Sequence, residues 1–239
     1  MQPVYKRILL KLSGEGLMGD KPFGVDIKVV SLLAAQIKNV YDMGVQICLV
    51  VGGGNIFRGA KEAAKGLNRS VADQIGMMAT VMNALFLQDE LKRQGIDVVV
   101  MSGLKMQQVC EPYLYRTAIK HLEDKRVIIF AGGTGNPYFT TDTGASLRAC
   151  EMGCDAILKS TQVDGVYASD PRENPKAKRY DEISFDEVLE KKLGVMDLTA
   201  ITMAKENNIP IVVFAQNSET SLTDVVCAKG KFTIIKNRG

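Results

Sequence analysis

Histidine is nearly missing from this chain: one residue, His121, among 239. A histidine-based triad or metal site would have to use that single ring. It sits in Ile119-Lys120-His121-Leu122-Glu123, which reads as a solvated helix end. Cysteine is scarce and odd in number. Cys48, Cys110, Cys150, Cys154 and Cys227 lie mostly among apolar neighbours, the pattern of free thiols in a reducing compartment. Cys150 and Cys154 are four apart and could share a helix face, but no histidine or second cysteine pair accompanies them, which argues against zinc. Apolar runs are short, about 5 to 7 residues against the ~20 a bilayer requires. The start, Met1 to Lys11, reads as a strand and lacks the apolar core and cleavage site of a signal peptide, so a cytoplasmic location is expected. Charge of one sign is also in short supply. A net +3 with no dense basic stripe demands neither nucleic acid nor an anionic membrane, though it suits small anionic substrates. No G-x-x-x-x-G-K-[ST] occurs, so this is not a Walker-type kinase. Internal repeats, low-complexity segments and long linkers are missing too.

What is present is alternation. Strand-like runs at Tyr5–Leu12, Gln46–Val51, Asp97–Met101, Val127–Ala131, Ala156–Leu158, Ile209–Phe214 and Phe232–Ile235 alternate with helical patterns near 26–43, 70–94, 115–124, 142–152, 184–191, 198–207 and 219–228. In the first helix Val29, Leu33, Ile37 and Val40 recur at helical spacing. The alternation predicts one α/β domain over 1–239, a mostly parallel central sheet between two helical layers. The polar loop Ser169–Arg179 separates two lobes of that sheet. One helix is unusual: from Met77 to Leu87 only Thr80 and Asn83 are not apolar. It is either a central buried helix or one buried on one side by its own domain and on the other by a second subunit.

Four glycine-bearing loops each follow a predicted strand, and ligands of open α/β sheets bind at such strand ends. They are Lys11-Leu12-Ser13-Gly14-Glu15-Gly16, Gly52-Gly53-Gly54-Asn55-Ile56-Phe57-Arg58-Gly59, Ala131-Gly132-Gly133-Thr134-Gly135-Asn136-Pro137 and Ser160-Thr161-Gln162-Val163-Asp164-Gly165. Three consecutive glycines give up side-chain packing so that backbone N–H groups can approach a ligand, usually phosphate. A G-x-G-x-x-G does occur at Gly14–Gly19. No acidic residue ends the next strand and no helix opens at once, so the dinucleotide reading is weak.

Together these segments resemble the amino-acid kinase superfamily, specifically its bacterial uridylate kinase branch. The likeness rests on Tyr5–Glu15, the Gly52–Gly59 loop with Asn68-Arg69, and Gly76–Asn83. It continues through Gly133–Asp142, Lys159–Tyr167 and Val195–Leu198, and so covers nearly the whole chain. Gly133-Thr134-Gly135-Asn136-Pro137-Tyr138-Phe139-Thr140-Thr141-Asp142 is the most specific part. The resemblance implies phosphoryl transfer from ATP to UMP, with an acceptor lobe over roughly 1–154 and an ATP lobe over roughly 155–239. It implies Lys11 at the transferring phosphoryl group, Asp142 orienting that lysine, and Asp197 linked to Mg²⁺ or phosphate. On the ATP side it implies Leu12, Ser13, Gly14, Gly54, Arg58, Lys159, Thr161, Tyr167 and Asp170. On the UMP side it implies Gly53, Asp73, Thr134, Gly135, Asn136, Pro137, Tyr138, Phe139, Thr140 and Thr141.

Several of these residues also have plainer readings. Ser70-Val71-Ala72-Asp73 fits a helix-start capping pattern, and Asp142 and Asp197 could each simply cap a helix. The acceptor phosphate, with a second pKa near ~6, is already mostly dianionic at neutral pH, so no general base is required. Mg²⁺ would arrive with ATP and be held largely by phosphate oxygens and water, leaving no metal motif to find. The resemblance further implies a homohexamer, UTP as inhibitor and GTP as activator through Gly19-Asp20-Lys21-Pro22-Phe23-Gly24, itself otherwise a plain glycine-bounded turn. A sister kinase for another small acceptor and a non-catalytic nucleotide-binding regulator are the rival readings.

Overall fold

The computed structural model describes residues 2–58, 66–216 and 220–238. Gly59, which ends the second glycine loop, and Glu219, where the last helix is expected to open, lie outside them. The strands are β1 (Arg7–Leu12), β2 (Gln46–Val51), β3 (Val98–Ser102), β4 (Glu111–Pro112), β5 (Val127–Ala131), β6 (Ala156–Thr161), β7 (Val166–Tyr167), β8 (Arg179–Tyr180), β9 (Glu182–Ser184), β10 (Ile211–Ala215) and β11 (Thr233–Lys236). The helices are α1 (Ile27–Asp42), α2 (Arg69–Arg93), α3 (Tyr115–Glu123), α4 (Thr141–Met152), α5 (Phe185–Glu190), α6 (Leu198–Glu206) and α7 (Leu222–Val226).

One sheet of order β4-β3-β5-β2-β1-β6-β10-β11-β9 spans the molecule. From β4 to β10 every neighbouring pair is parallel; β11 runs antiparallel to β10, and β9 follows β11. The central strands are apolar almost throughout because both faces are covered, as parallel sheets require. On one face Ile8, Leu10 and Leu12 pack with Leu33 and Ile37 of α1, Leu87 and Leu91 of α2, and Val225 of α7. On the other, Leu9 and Val50 pack with Leu122 of α3, Ala145 and Ala149 of α4, Phe185 of α5 and Ile201 of α6. Each fully buried leucine is worth about 1.5–3 kcal/mol relative to exposure; Leu87→Ala in this core would cost about 2–5 kcal/mol. This is the expected three-layer sandwich with a mostly parallel sheet.

Several local expectations need correction. The cap of α2 is Asn68, whose side chain accepts from the N–H groups of Ser70 and Val71, so Asp73 lies inside the helix and does not cap it. Likewise Thr140, not Asp142, caps α4. His121 is not solvated: it is 8% exposed, with its ring 2.9 Å from the Glu111 carboxylate. Cys154 follows Gly153, whose left-handed backbone (φ 60°) ends α4, so it shares no helix face with Cys150. The short strands β4, β7, β8 and β9 carry too few residues to show a period.

α2 accounts for the odd apolar helix. By length and by the mean hydropathy of one 18-residue window, 1.2, it could cross a membrane. Here it lies on the sheet with Val81, Ala84, Leu87 and Leu91 in the core. Its outer side still exposes Val71, Met78, Met82 and Phe86, each more than 40% accessible and spaced seven, four and four apart along one stripe.

Candidate active site

The two lysines at the centre are neighbours across the sheet. Lys11 on β1 pairs in register with Lys159 on β6. Both side chains point to the α4 side, because Leu10 and Leu12 alternate into the opposite layer. There the first turn of α4 places Asp142 between them. Its Oδ1 lies 2.7 Å from Lys11 Nζ and its Oδ2 lies 2.8 Å from Lys159 Nζ, with all three side chains at most 15% exposed. Burial pushes the Asp142 carboxyl up, but the two ammonium groups more than offset this and hold it below the ordinary carboxylate range. Burial also dominates at Lys159, whose pKa is lowered despite the attraction of Asp142. Lys159 Nζ additionally donates to the Val195 carbonyl. With Asp142 and both lysines ionised the cluster has one surplus positive charge, next to the N-terminus of α4 and its partial positive dipole. That arrangement favours anions.

Two cavities flank the cluster. One, of about 170 Å³, is lined by Gly53, Gly54, Phe57, Arg69, Asp73, Gly76, Met77, Thr80, Gly133, Thr134, Phe139, Thr140 and Thr141 among others. Gly53, Asp73, Thr134, Phe139, Thr140 and Thr141, named together for the UMP side from the sequence, are brought together here. Gly54, expected on the ATP side, also lines this cavity. Gly135, Asn136, Pro137 and Tyr138 do not line it, although they belong to the loop around it. Asp73 holds that loop: its Oδ2 accepts the Tyr138 N–H at 2.8 Å while Arg69 Nε donates to the same carboxylate at 2.8 Å. Tyr138 takes a left-handed backbone (φ 71°), uncommon for a bulky residue, and the Asp73 bond fixes it there. Arg69, Phe57, Met77 and Thr80 lie in segments that carry the family likeness, but no role was read for them from the sequence.

The second cavity, about 560 Å³, is lined by Lys159, Thr161, Tyr167 and Asp170, all four expected on the ATP side. Val163, Gly165, Arg172 and the turn Lys191–Val195 complete its walls. Tyr167 donates to Asp164 Oδ1 at 2.6 Å, which orients its ring. Hydrogen bonds from Arg172 hold the Asp170 carboxyl down to about 2. Leu12, Ser13, Gly14 and Arg58 line neither cavity. Leu12 is fully buried, so only its backbone faces the loops, and its carbonyl accepts from Gly52 N–H. Arg58 pairs with Glu15 at 2.5 Å and donates to the Gly54 carbonyl. Gly14 is required by close approach: a Cβ there would lie 2.6 Å from the Gly52 oxygen.

Asp197 caps α6 through Ala200 N–H and also accepts from the hydroxyls of Thr140 and Thr143, so its two oxygens tie α6 to the start of α4. The loop Gly19–Gly24 lies on the surface, with Phe23 74% exposed, and meets the glycine loop through Gly24 and Asn55. Among the described residues no group of three or more His, Cys, Asp or Glu side chains is placed to hold a metal ion. Asp142 is engaged by two lysines and Asp197 by Thr140 and Thr143, so a divalent ion at this site would take most of its ligands from phosphate and water.

A sheet of this order, with a lysine–carboxylate–lysine cluster between two strand-end cavities, is the frame of a small-molecule phosphotransferase. The model of the amino acid kinase family matches residues 6–215, and the chain belongs to that family. Among its relatives are proteins named uridylate kinase from Paramagnetospirillum magneticum (52% identical, covering 98% of this chain and 97% of the relative) and Roseobacter denitrificans (51% identical, 99% and 98%). Solved UMP kinases from Bacillus anthracis (TM-score 0.94, 36% identical, 98% and 97% coverage) and Ureaplasma parvum (TM-score 0.93, 37% identical, 99% and 100%) share the fold.

Proposed function

We propose that this chain is an ATP-dependent UMP kinase, moving the γ-phosphoryl group of ATP onto the phosphate of UMP to give UDP and ADP, a step of pyrimidine nucleotide synthesis. The observation that carries the site assignment is Asp142, bridging Lys11 and Lys159 between the two cavities. UMP occupies the smaller cavity, with Asp73 toward the ribose and the Thr134–Thr141 loop around uracil and phosphate. ATP occupies the larger, with Thr161 and Tyr167 at adenine and Asp170 at the ribose. Lys11 and Lys159 then neutralise charge on the phosphoryl group in transit, and backbone N–H groups of Ser13, Gly14, Gly53 and Gly54 hold its oxygens, with Arg58 at the rim. Mg²⁺ would arrive on ATP and would supply charge neutralisation at the phosphate oxygens, with Asp142 and Asp197 the carboxylates available to hold it. The acceptor lobe spans roughly 1–154 and the ATP lobe roughly 155–239. A coupled ADP-release assay comparing UMP with CMP, carbamate and isopentenyl phosphate tests the reading. Preferred turnover of UMP supports it, and turnover of another acceptor in place of UMP would overturn it.

Assembly and regulation belong to the same proposal. The exposed stripe Val71, Met78, Met82 and Phe86 supports a dimer contact along α2. We read the assembly as a homohexamer, a trimer of dimers. Light scattering of wild type and Met82→Glu tests this: a hexamer broken by the substitution supports it, and a wild-type monomer at micromolar concentration refutes it. UTP, sharing uracil and ribose with UMP, should compete with UMP. GTP is the proposed activator, with Gly19–Gly24 in the response; the contact of Gly24 with Asn55 supports that loop as a route to the glycine nest. A flat rate upon GTP titration at subsaturating UMP would remove this part alone. The free thiols suit a cytoplasmic setting.

A further inference from the structure

Two asparagines that the reaction does not touch are buried beneath the glycine loop. Asn83, on α2, is 0% exposed, and Asn55, just after the three glycines, is 3% exposed. Their amides are paired reciprocally: Asn83 Nδ2 donates to Asn55 Oδ1 at 2.7 Å, and Asn55 Nδ2 donates to Asn83 Oδ1 at 3.0 Å. Each uses its second N–H on a backbone carbonyl. Asn83 donates to Gly52 O at 2.7 Å, and Asn55 donates to Gly24 O at 2.8 Å. Gly24 returns a bond from its N–H to the Asn55 carbonyl at 2.9 Å. A polar pair buried between an apolar helix and a loop is costly unless every group is satisfied, and here each amide donates two hydrogen bonds.

The direction of the Gly52 carbonyl gives this network its meaning. A trans peptide is planar, so the C=O of Gly52 and the N–H of Gly53 point opposite ways. Asn83 grips that carbonyl from the α2 side. The Gly53 N–H is thereby aimed away from the grip, and Gly53 lines the smaller cavity. Among the described residues the N–H groups of Gly53 and Gly54 have no hydrogen-bond acceptor. A triglycine backbone has no side chains to hold its peptide planes, and a flipped Gly52–Gly53 peptide would present a carbonyl oxygen to an anion. Gly53 also packs against α2, where a Cβ would lie 2.9 Å from Gly76 O and from Ala79 Cβ. The loop therefore sits on the helix carrying its lock.

We propose that Asn83 is a positioning residue, which together with Asn55 locks the Gly52–Gly53 peptide so that the Gly53 N–H faces the substrate phosphate. The proposal deepens the kinase reading and rests on it for the identity of the phosphate. Removing one preorganised donor from a charged transition state commonly costs about 10²-fold in rate. Asn83→Asp keeps the shape but places an acceptor against the Gly52 oxygen; Asn83→Ser removes the same donor without charge, should the aspartate variant fail to fold. Leu87→Ala, in the α2 core away from the site, serves as the stability control.

The test pairs ADP-release kinetics with calorimetric binding of UMP and of uridine, which lacks the phosphate. With wild type turning over UMP, either Asn83 variant should lose about 10-fold or more in kcat and bind UMP more weakly, while uridine affinity stays within about 2-fold. Leu87→Ala should melt lower with kcat retained. The proposal is overturned if both Asn83 variants keep wild-type kcat, or if UMP and uridine affinities fall in parallel, the sign of a generally damaged pocket. Wild type failing to turn over UMP would refute the kinase reading. The comparison of uridine with its phosphate would still decide whether Asn83 serves an anion site.

Discussion

Replacing Asp142 by asparagine keeps the shape of the central cluster and removes its only negative charge, leaving Lys11 and Lys159 side by side with no carboxylate between them. All three side chains are at most 15% exposed. Removing one partner from a buried ion pair costs about 3–5 kcal/mol because the remaining charge is left uncompensated. At about 2–4 °C per kcal/mol for a chain of this size, Asp142→Asn should melt roughly 6–20 °C below wild type near neutral pH. The pH dependence sharpens the argument. In wild type the depressed Asp142 carboxyl contributes its stability above the ordinary carboxylate pKa of 3.8 and loses it only as pH falls through the still lower folded value. Lys159 has the opposite chemistry. Its folded pKa is lowered, so stability rises with pH between that value and the ordinary lysine value of 10.5, and losing Asp142 lowers the folded pKa further. The deficit of Asp142→Asn should therefore shrink as pH rises from about 7 to about 9.5, when a lysine can shed its proton. Calorimetric melts of both proteins at the two pH values measure it. Melting within about 1 °C of wild type at neutral pH, or a deficit growing with alkalinity, would refute this account of the cluster.

Asp73 should act through the acceptor loop, since it fixes Tyr138 N–H and pairs with Arg69. Asp73→Ala should raise the UMP KM by about 10-fold or more with a smaller change for ATP, in line with about 1.5–3 kcal/mol for hydrogen bonds to a charged group; steady-state kinetics varying each substrate would reveal the reverse order if the cavities are misassigned. The acid limb of kcat/KM for UMP should fall near ~6, from protonation of the substrate phosphate. A limb that moves with a UMP analogue whose phosphate has a different second pKa assigns it to the substrate, and a limb that stays in place would assign it to the protein.

How much could be read from the chain differs by element. The central strands were legible because their apolar runs are bounded by glycine loops, and β2 and β5 begin and end at the expected residues. The strands at β4 and β7–β9 have two or three residues each, too short for any period to show. Lys11, Asp73, Asp142 and Lys159 were singled out through motifs, but their mutual geometry was not legible. That Lys159 faces the same carboxylate as Lys11 follows from β6 lying beside β1, a pairing between distant segments. His121 misled for a related reason. Lys120 and Glu123 close by give the segment a solvated look, yet β4, invisible in the sequence, brings Glu111 against the ring. Lys191, Lys192, Leu193 and Gly194 reach the larger cavity by tertiary packing, with no local signal to mark them; only the next residue, Val195, lay in a segment of the family likeness.

The central claim is that Lys11 carries positive charge to the phosphoryl group in transit between two bound nucleotides. Its most direct test is the kcat of Lys11→Ala with saturating ATP and UMP, on protein whose circular dichroism and UMP affinity match wild type. The account predicts a fall of about 10²-fold or more with UMP binding little changed. A folded Lys11→Ala protein that converts UMP to UDP at the wild-type rate would contradict it.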